Sequence, residues 1–463
     1  MEIGSKEWQD KLREINEKRK EDEKKSKEME IPIERHIANI ILNSSRAKCF
    51  IETGEMLFFN GRKWTKGKEA ENRILKIIND AYKGVYHKKN PSRYSISTIF
   101  TILQSESFIG IEEFEHKGFL INCKNGIYNT RTKIFKEHPI SSRIVSNDYD
   151  GIFWIINANY DPNAKCPKID KFIEDIFGKE KKELVYEVIG LALLPTTKFQ
   201  KAIMLYGSGA NGKSTFLELI IDFVGRKNVC QVSLHALQQS QFELLNFKGK
   251  LTNIVPDLQD RELYDTGNFK IITTDKYISG RKKHIQDPIE FENICTQFFS
   301  CNQLPEVKTY DFAFWRRWIL LPCLHVFTKD DKDPDILKKI KSEEEFSGLL
   351  NKAIEGINRI YDNNGFSEEY TEEVERVWKE ESKPLGNFIK TFCLTGEDFQ
   401  IEQKEFVEMV NNYREKNRLT QLSLKAITIA LKQHGIFLKR TNQGRFYIGI
   451  KLREKDVSYI DQY

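Results

Sequence analysis

The sequence has no apolar run approaching the roughly 20 residues that a membrane-spanning helix needs. Its first ten residues, MEIGSKEWQD, do not resemble a secretory signal peptide. The eight cysteines stand singly, and the closest pair, Cys295 and Cys301, lacks the spacing of a zinc site or a redox motif. These absences argue against membrane insertion, a zinc site and a disulfide framework. We expect a soluble, cytoplasmic protein with reduced, buried thiols.

A large excess of charge of one sign is also missing. The 73 basic and 68 acidic residues leave a net charge of +5, too small to indicate a nucleic-acid partner by itself. Any DNA contact must therefore come from local basic clusters. Residues 6–30 mix both signs with almost nothing apolar, which is typical of a solvated helix or a disordered arm, with tethering as the alternative.

A glycine-rich turn lies between an apolar strand and an apolar helix in LYGSGANGKSTFLELI, residues 205–220. It fits the pattern G-x-x-x-x-G-K-[ST], in which inward-pointing amides and a helix N-terminus bind phosphates. We expect Lys213 to reach the β- and γ-phosphates of ATP and the Ser214 hydroxyl to ligate Mg²⁺. The predicted nucleotide-binding residues are Gly207, Ser208, Gly209, Ala210, Asn211, Gly212, Lys213, Ser214 and Thr215.

Strand and helix patterns around this turn predict an α/β fold. Further strands follow at 249–257, 296–302 and 317–323, separated by helical stretches, so we expect a three-layer core with a largely parallel sheet. Ligands of such sheets bind outside the carboxyl ends of the strands. Upstream, helices and hairpins indicate an α+β N-terminal region; they are predicted at 55–64, 69–82, 97–105 and 118–135.

Polar residues at the strand ends are the candidates for catalysis. An NTPase needs a carboxylate that holds Mg²⁺ and orients the attacking water, and Asp257 is the first candidate. Asp260, in PDLQD, is the second, and the alternative for both is an ordinary acidic loop residue after a strand. No adjacent acidic pair follows this strand and Pro256 interrupts it, so the sequence leaves the identity of the catalytic base open. Asn302 ends the next strand, either as a polar sensor of the γ-phosphate or as a turn-forming residue. Arg316 and Arg317 precede the last strand, as ion-pairing residues or as an arginine finger.

Two regions carry basic residues suited to DNA. The first is a compact tip in SGRKKHIQD that contains Arg281, Lys282, Lys283 and His284, with a solvated loop as the alternative. The second is the C-terminal region, where two amphipathic helices and a basic hairpin indicate a winged helix. Winged helices bind DNA or proteins. The basic residues there are Lys425, Lys432, Lys439, Arg440 and Arg445.

In this order, the motifs resemble the superfamily 3 helicases of viruses, phages and plasmids, in particular the helicase half of poxvirus and plasmid type primase-helicases. The resemblance is carried by GSGANGKST, IVPDLQD, NFKIITTDKYISGRKKH, FFSCNQLPEV and FWRRW. The upstream pieces FFNGRKW, INCKNGIYNTRTKIFKEHP and YDPNAKCP resemble the domain that precedes the helicase in this family. The likeness extends over most of residues 50–330.

The resemblance implies an AAA+ ATPase that forms a homo-hexameric ring and translocates on single-stranded or forked DNA. It implies that Lys213 and Ser214 bind ATP and Mg²⁺, that Asp257 is the second-motif acid and Asn302 the first sensor, and that Arg316 or Arg317 acts in trans. Residues 270–284 match a region that ends in a pore hairpin. Too few residues precede position 50 for a primase, so we expect a separate primase partner.

The predicted organisation has five segments: a charged arm at 1–30, an N-terminal primase-helicase associated domain at 31–160, an AAA+ core with preceding helices at 161–330, a helical lid and linker at 331–388, and a winged-helix domain at 389–463. The leading functional prediction is an ATP-dependent replicative helicase of a virus, plasmid or integrated element. Two alternatives stay open: an AAA+ initiator or remodeller without processive unwinding, and a non-catalytic DNA-binding scaffold that holds ATP.

Overall fold

The protein is represented by a computed structural model that divides into two compact units, Met1–Tyr160 and Asp161–Tyr463. The residues that the structure describes are 32–44, 46–84, 90–114, 117–138, 147–259, 261–281, 287–308, 311–323, 325–328, 333–368, 371–383, 385–417, 419, 421–442 and 444–453. The predicted arm at 1–30 therefore lies outside the described residues. None of the described helices combines the length and apolar character that crossing a bilayer requires.

In the part of the first unit that the structure describes, there are two small sheets and three α-helices. Its elements are α1 (Ile33–Asn43), β1 (Ala47–Phe50), β2 (Met56–Phe59), β3 (Trp64–Lys66), α2 (Lys68–Gly84), α3 (Arg93–Glu106), β4 (Phe108–Ile109), β5 (Leu120–Asn122), β6 (Gly126–Asn129), β7 (Ile134–Glu137) and a 3₁₀ turn (Asn147–Tyr149). The sheet orders are β3-β2-β1-β4 and β5-β6-β7. The hairpin expected at 55–64 is present, because the Asn60 side chain accepts hydrogen bonds from the amides of Arg62 and Lys63 across the turn.

The second unit is built on a five-stranded parallel sheet of order β14-β8-β13-β10-β9. Its elements up to the sheet's last strand are α4 (Pro167–Phe177), α5 (Lys182–Leu191), β8 (Ala202–Tyr206), α6 (Lys213–Val224), a 3₁₀ turn (Arg226–Asn228), β9 (Val229–Cys230), α7 (Leu234–Gln239), a 3₁₀ helix (Gln241–Phe247), β10 (Thr252–Val255), α8 (Gly267–Thr274), β11 (Tyr277–Gly280), β12 (Ile289–Glu292), β13 (Thr296–Cys301), α9 (Phe312–Trp315) and β14 (Trp318–Pro322). The predicted α/β core with a parallel sheet is confirmed. Strand β8, which leads into the glycine-rich turn, lies inside the sheet and is completely buried.

The rest of the second unit is helical and then mixed. Its elements are α10 (Ile336–Ile340), α11 (Glu343–Asp362), α12 (Thr371–Ser382), α13 (Gly386–Phe392), β15 (Cys393–Glu402), α14 (Gln403–Lys416), α15 (Leu424–Gln433), β16 (Phe437–Thr441) and β17 (Gly444–Leu452). The C-terminal strands form an antiparallel sheet of order β15-β17-β16. The predicted pair of helices followed by a hairpin is therefore present, and β15 adds a strand that the sequence did not predict.

Helix α12 is more than the connecting element that the sequence predicted. Val377 and Trp378 are buried in the same apolar cluster as the parallel sheet. The indole nitrogen of Trp378 donates to the carbonyl of Pro305, in the segment after β13, at 2.9 Å. Trp378 also packs against Trp318 of β14, with ring centroids 5.0 Å apart. The helix is thus part of the core.

Candidate nucleotide-binding site

The backbone of the glycine-rich turn favours glycine at positions 207 and 212. Gly207 and Gly212 have φ angles of +155° and +79°. A Cβ on Gly207 would lie 2.3 Å from the Asn211 side chain, and one on Gly212 would lie 2.6 Å from Ile176. The turn leads directly into α6, whose first residue is Lys213, so free amides and the positive end of the helix dipole meet here.

The Lys213 side chain is held inside the turn. Its ammonium donates to the carbonyl of Gly207 at 2.8 Å and to Oδ1 of Asn211 at 2.6 Å. Asn211 is fixed in turn by a hydrogen bond from its amide nitrogen to the carbonyl of Cys323 at 3.0 Å. Burial lowers the pKa of Lys213, and the nearby Asp257 carboxylate opposes this effect in part. A buried cation with few charged partners favours an anion as its ligand.

A cavity of about 900 Å³ opens over this turn. The residues predicted at three separate strand ends line it together: Lys213 and Ser214 after β8, Asp257 after β10, and Asn302 after β13. They meet because β8, β13 and β10 are neighbours and parallel, which brings their carboxyl ends to one edge of the sheet. The volume lies within the range of pockets for small molecules and cofactors.

Asp257 and Asn302 both present exposed side chains to this cavity. The backbone beside Asp257 is fixed, since the amide of Leu258 donates to the carbonyl of Ser300 at 2.7 Å. Pro256 does end the strand, which stops at Val255, yet its carbonyl accepts a hydrogen bond from the Ser300 hydroxyl. The alternative acid, Asp260, lies outside the described residues.

Helix α4 forms a wall of the cavity that the sequence did not predict. Lys168, Lys171 and Phe172 line the cavity from this helix. The helix is positioned by the buried carboxylate of Glu345, which accepts hydrogen bonds from the amides of Lys168 and Ile169. These two lysines place positive charge near the turn, which favours polyphosphate, whereas Lys339 in the same lining is paired with Asp333. Only the fold brings residues this far apart along the chain together.

The two candidate arginines differ in their surroundings, and neither is among the residues lining this chain's cavity. Arg317 is buried; its Nε and Nη2 donate to the Thr274 hydroxyl at 3.0 and 2.6 Å, and its Nη1 donates to the carbonyl of Ala313. The Arg316 guanidinium is half-buried and hydrogen-bonds to none of the described residues. The sequence offered no way to tell the two apart.

The basic tip follows a strand of a two-stranded antiparallel hairpin. Strand β11 pairs with β12 from Tyr277↔Glu292 to Gly280↔Ile289, and residues 281–288 connect them. Arg281 is exposed at the end of β11, whereas Lys282, Lys283 and His284 lie outside the described residues. Because Thr274 ends the helix just before this hairpin, the Arg317 side chain anchors the hairpin's base.

In the C-terminal sheet, Arg440 of β16 lies directly opposite Arg445 of β17. Both side chains are exposed, as are those of the other three predicted basic residues, Lys425, Lys432 and Lys439. Like charges directly opposite each other destabilise a strand pair. An anionic partner would relieve that repulsion.

The candidate metal ligands are chemically suited to Mg²⁺. Ser214 and Asp257 offer a hydroxyl and a carboxylate, the hard oxygen donors that Mg²⁺ takes together with nucleotide phosphates and water. No cluster of three or more His, Cys, Asp or Glu side chains suited to a metal occurs among the described residues. A transition-metal centre built from protein ligands alone therefore has no candidate in that part of the chain.

Comparisons with known proteins match two parts of the chain. Residues 38–178 match a family described as D5 N terminal like, and residues 205–317 match a family of unknown function, DUF5906. A protein of Acanthamoeba polyphaga mimivirus named "Putative helicase L207/L206" is 26% identical over 241 residues. That match covers 50% of this chain and 24% of the mimivirus protein, so the chain spans about a quarter of that relative's length.

The chain is also similar to solved structures. Two apo structures of the NrS-1 C-terminal region are each 13% identical to this chain, with TM-scores of 0.43 and 0.45. The first comparison covers 91% of this chain and the second 92%, and both cover 100% of the solved chain.

Proposed function

We propose that this chain is the motor of an ATP-dependent DNA helicase of the viral or plasmid primase-helicase type, acting in replication. The observation that carries the proposal is the meeting of Lys213, Ser214, Asp257 and Asn302 around one cavity at the carboxyl edge of a parallel sheet. The D5 N terminal like match and the helicase name of the mimivirus relative support the same class.

In the proposed chemistry, the turn amides and Lys213 hold the phosphates of ATP, and Ser214 and Asp257 hold Mg²⁺. When bound, this ion neutralises developing charge on the phosphates. Asp257 also orients the attacking water, and Asn302 contacts the γ-phosphate. Lys213 must exchange its hydrogen bonds to Gly207 and Asn211 for phosphate oxygens, which keeps the ammonium paired in both states.

The proposal extends to an AAA+ type homo-hexameric ring. Because neither candidate arginine lines its own chain's cavity, an arginine supplied to a neighbouring subunit fits the arrangement. Arg316 is the better candidate, since Arg317 is already bonded to Thr274 and Ala313. A partner primase and a cytoplasmic site of replication belong to the same proposal.

The proposed DNA contacts are the connection between β11 and β12 and the C-terminal module, which consists of β15, α14, α15, β16 and β17 (residues 393–452). We infer that the connection grips single-stranded DNA in the ring pore through its basic tip. The C-terminal module has the helix, helix and hairpin order of a winged helix, and its facing Arg440 and Arg445 suit duplex phosphates.

Phosphate release, measured with and without single-stranded DNA, tests the proposal. The wild-type protein should hydrolyse ATP, and DNA should stimulate it. Lys213→Ala should abolish hydrolysis in a protein that stays folded, because the side chain contacts phosphates and its loss leaves the apolar core intact. Lys338→Ala, which removes an exposed lysine of α10, is the matched control and should hydrolyse ATP normally.

Unchanged hydrolysis in Lys213→Ala would refute the proposed site. A forked DNA with a long duplex then separates the motor classes. Hydrolysis without strand separation would indicate a remodeller or initiator, and ATP binding without hydrolysis would indicate a scaffold.

A further inference from the structure

The cavity over the glycine-rich turn has an aromatic side that the proposed phosphate chemistry does not use. Phe327 and Phe172 line the cavity together with Lys213 and Ser214. Phe172 is almost completely buried in α4, whereas Phe327 is only half-buried. A partly exposed aromatic ring beside a phosphate site can stack against a flat apolar group.

The segment that carries Phe327 is joined to the turn itself. The Phe327 amide donates to the carbonyl of Ala210 at 2.8 Å. Its ring edge lies 3.3 Å from the position that a Cβ on Gly212 would take. The ring is also packed edge-on against His325, with centroids 4.5 Å apart. Phe327 is therefore held against the phosphate turn by its backbone and by its ring.

The aromatic side and the catalytic side flank the same turn. Oδ1 of Asn302 lies 3.8 Å from the Cβ position of Gly209, whereas Phe327 touches the turn at Ala210 and Gly212. A nucleoside triphosphate has the same layout, with a flat base at one end and the γ-phosphate at the other. A bare polyphosphate would leave the aromatic side empty.

We propose that Phe327 is the stacking platform for the nucleobase, so that the site binds a nucleoside triphosphate through its base as well as through its phosphates. This inference rests on the proposed nucleotide site and names the part of it that distinguishes ATP from inorganic polyphosphate. Stacking of a base on an aromatic side chain typically contributes about a tenfold gain in affinity or more.

The test compares binding of ATP and of inorganic tripolyphosphate, both with Mg²⁺, by titration calorimetry. Phe327→Ala should weaken ATP binding about tenfold or more and leave tripolyphosphate binding unchanged. Phe327→Trp should retain ATP binding, because indole also stacks. Phe437→Ala, which removes a 60% exposed phenylalanine of β16, is the matched control and should change neither affinity.

Two results would overturn the inference and leave the phosphate site standing. One is an equal loss of both affinities in Phe327→Ala, which would mean that the ring only supports the turn. The other is wild-type protein that binds tripolyphosphate as tightly as ATP. If the wild-type protein binds neither ligand, the proposed nucleotide site itself fails.

Discussion

A buried ion pair joins helix α12, which packs on the parallel sheet, to the C-terminal module. Nη2 of Arg414, in α14, lies 2.5 Å from Oε2 of Glu381, in α12, and the side chains are 1% and 6% exposed. Breaking a buried pair by removing one partner typically costs about 3–5 kcal/mol, because the remaining charge stays buried without compensation. We predict a loss of this size for Arg414→Met and for Glu381→Leu, localised to α12 and α14.

Amide hydrogen exchange measures the loss of stability in each helix separately. A loss of 3–5 kcal/mol should speed exchange in α12 and α14 by roughly a hundredfold or more, while α2 in the first unit stays unchanged. Arg376→Met is the matched control. It removes the arginine of α12, whose exposed pair with Glu373 spans 4.0 Å and whose hydrogen bond to the carbonyl of Asn417 is 3.4 Å long, and should cost less than about 1 kcal/mol.

The double variant tests whether these losses come from breaking the ion pair. An apolar pair in place of a buried ion pair is often neutral or stabilising, so Arg414→Met with Glu381→Leu should exchange more slowly than either single variant. The reasoning is refuted if the two single effects simply add, or if each single variant behaves like Arg376→Met.

Two further predictions concern the proposed ring. Arg316→Ala should abolish hydrolysis, and mixing it with Lys213→Ala subunits should restore some hydrolysis at shared interfaces. Arg317→Ala should chiefly loosen the base of the β11–β12 hairpin. If mixing restores no hydrolysis and the protein stays monomeric with ATP and DNA, the ring is contradicted. Replacing Lys282 and Lys283 by Ala should preserve basal ATP hydrolysis and stop DNA unwinding. The slope of log DNA affinity against log salt concentration should fall by roughly 0.7 per lost phosphate contact. Unaltered unwinding per bound protein would contradict a pore role.

The sequence predicted those parts of the fold and site that depend on local order. The glycine-rich turn is set by a fixed spacing within eight residues, and the strands leading to Asp257 and Asn302 are short apolar runs ended by polar residues. Strand β15 could not be predicted in this way. Eight of its ten residues are exposed or half-exposed, and it is a strand because the edge of β17 supplies its backbone hydrogen bonds.

Contacts between segments that are distant along the chain could not be predicted from the sequence either. Phe327 lies 115 residues beyond Gly212, and no spacing rule links the two. Glu381 and Arg414 are 33 residues apart in two charged helices. From the sequence alone, each would be predicted to be an ordinary surface charge. Burial of a charged side chain depends on how helices pack and not on the pattern of one helix.

Helix α12 connects the C-terminal module to the segments beside the candidate nucleotide site. At its C-terminal end the carbonyl of Ser382 accepts a hydrogen bond from Gln303, the residue after Asn302, at 2.8 Å. Tyr206 is the buried last residue of the strand that enters the glycine-rich turn. Burial raises the pKa of Tyr206, the nearby Glu381 carboxylate raises this pKa further, and the Arg414 guanidinium lowers it. If the C-terminal module binds DNA as proposed, a shift of α14 would reach the segments next to Asn302 and Gly207 through one helix. Removal of the whole module would take Arg414 away from Glu381 and disturb this helix, so loss of hydrolysis on truncation would not by itself exclude a DNA-binding role. Substitution of the exposed pair Arg440 and Arg445 leaves the Glu381–Arg414 contact intact and is the sharper probe of that role.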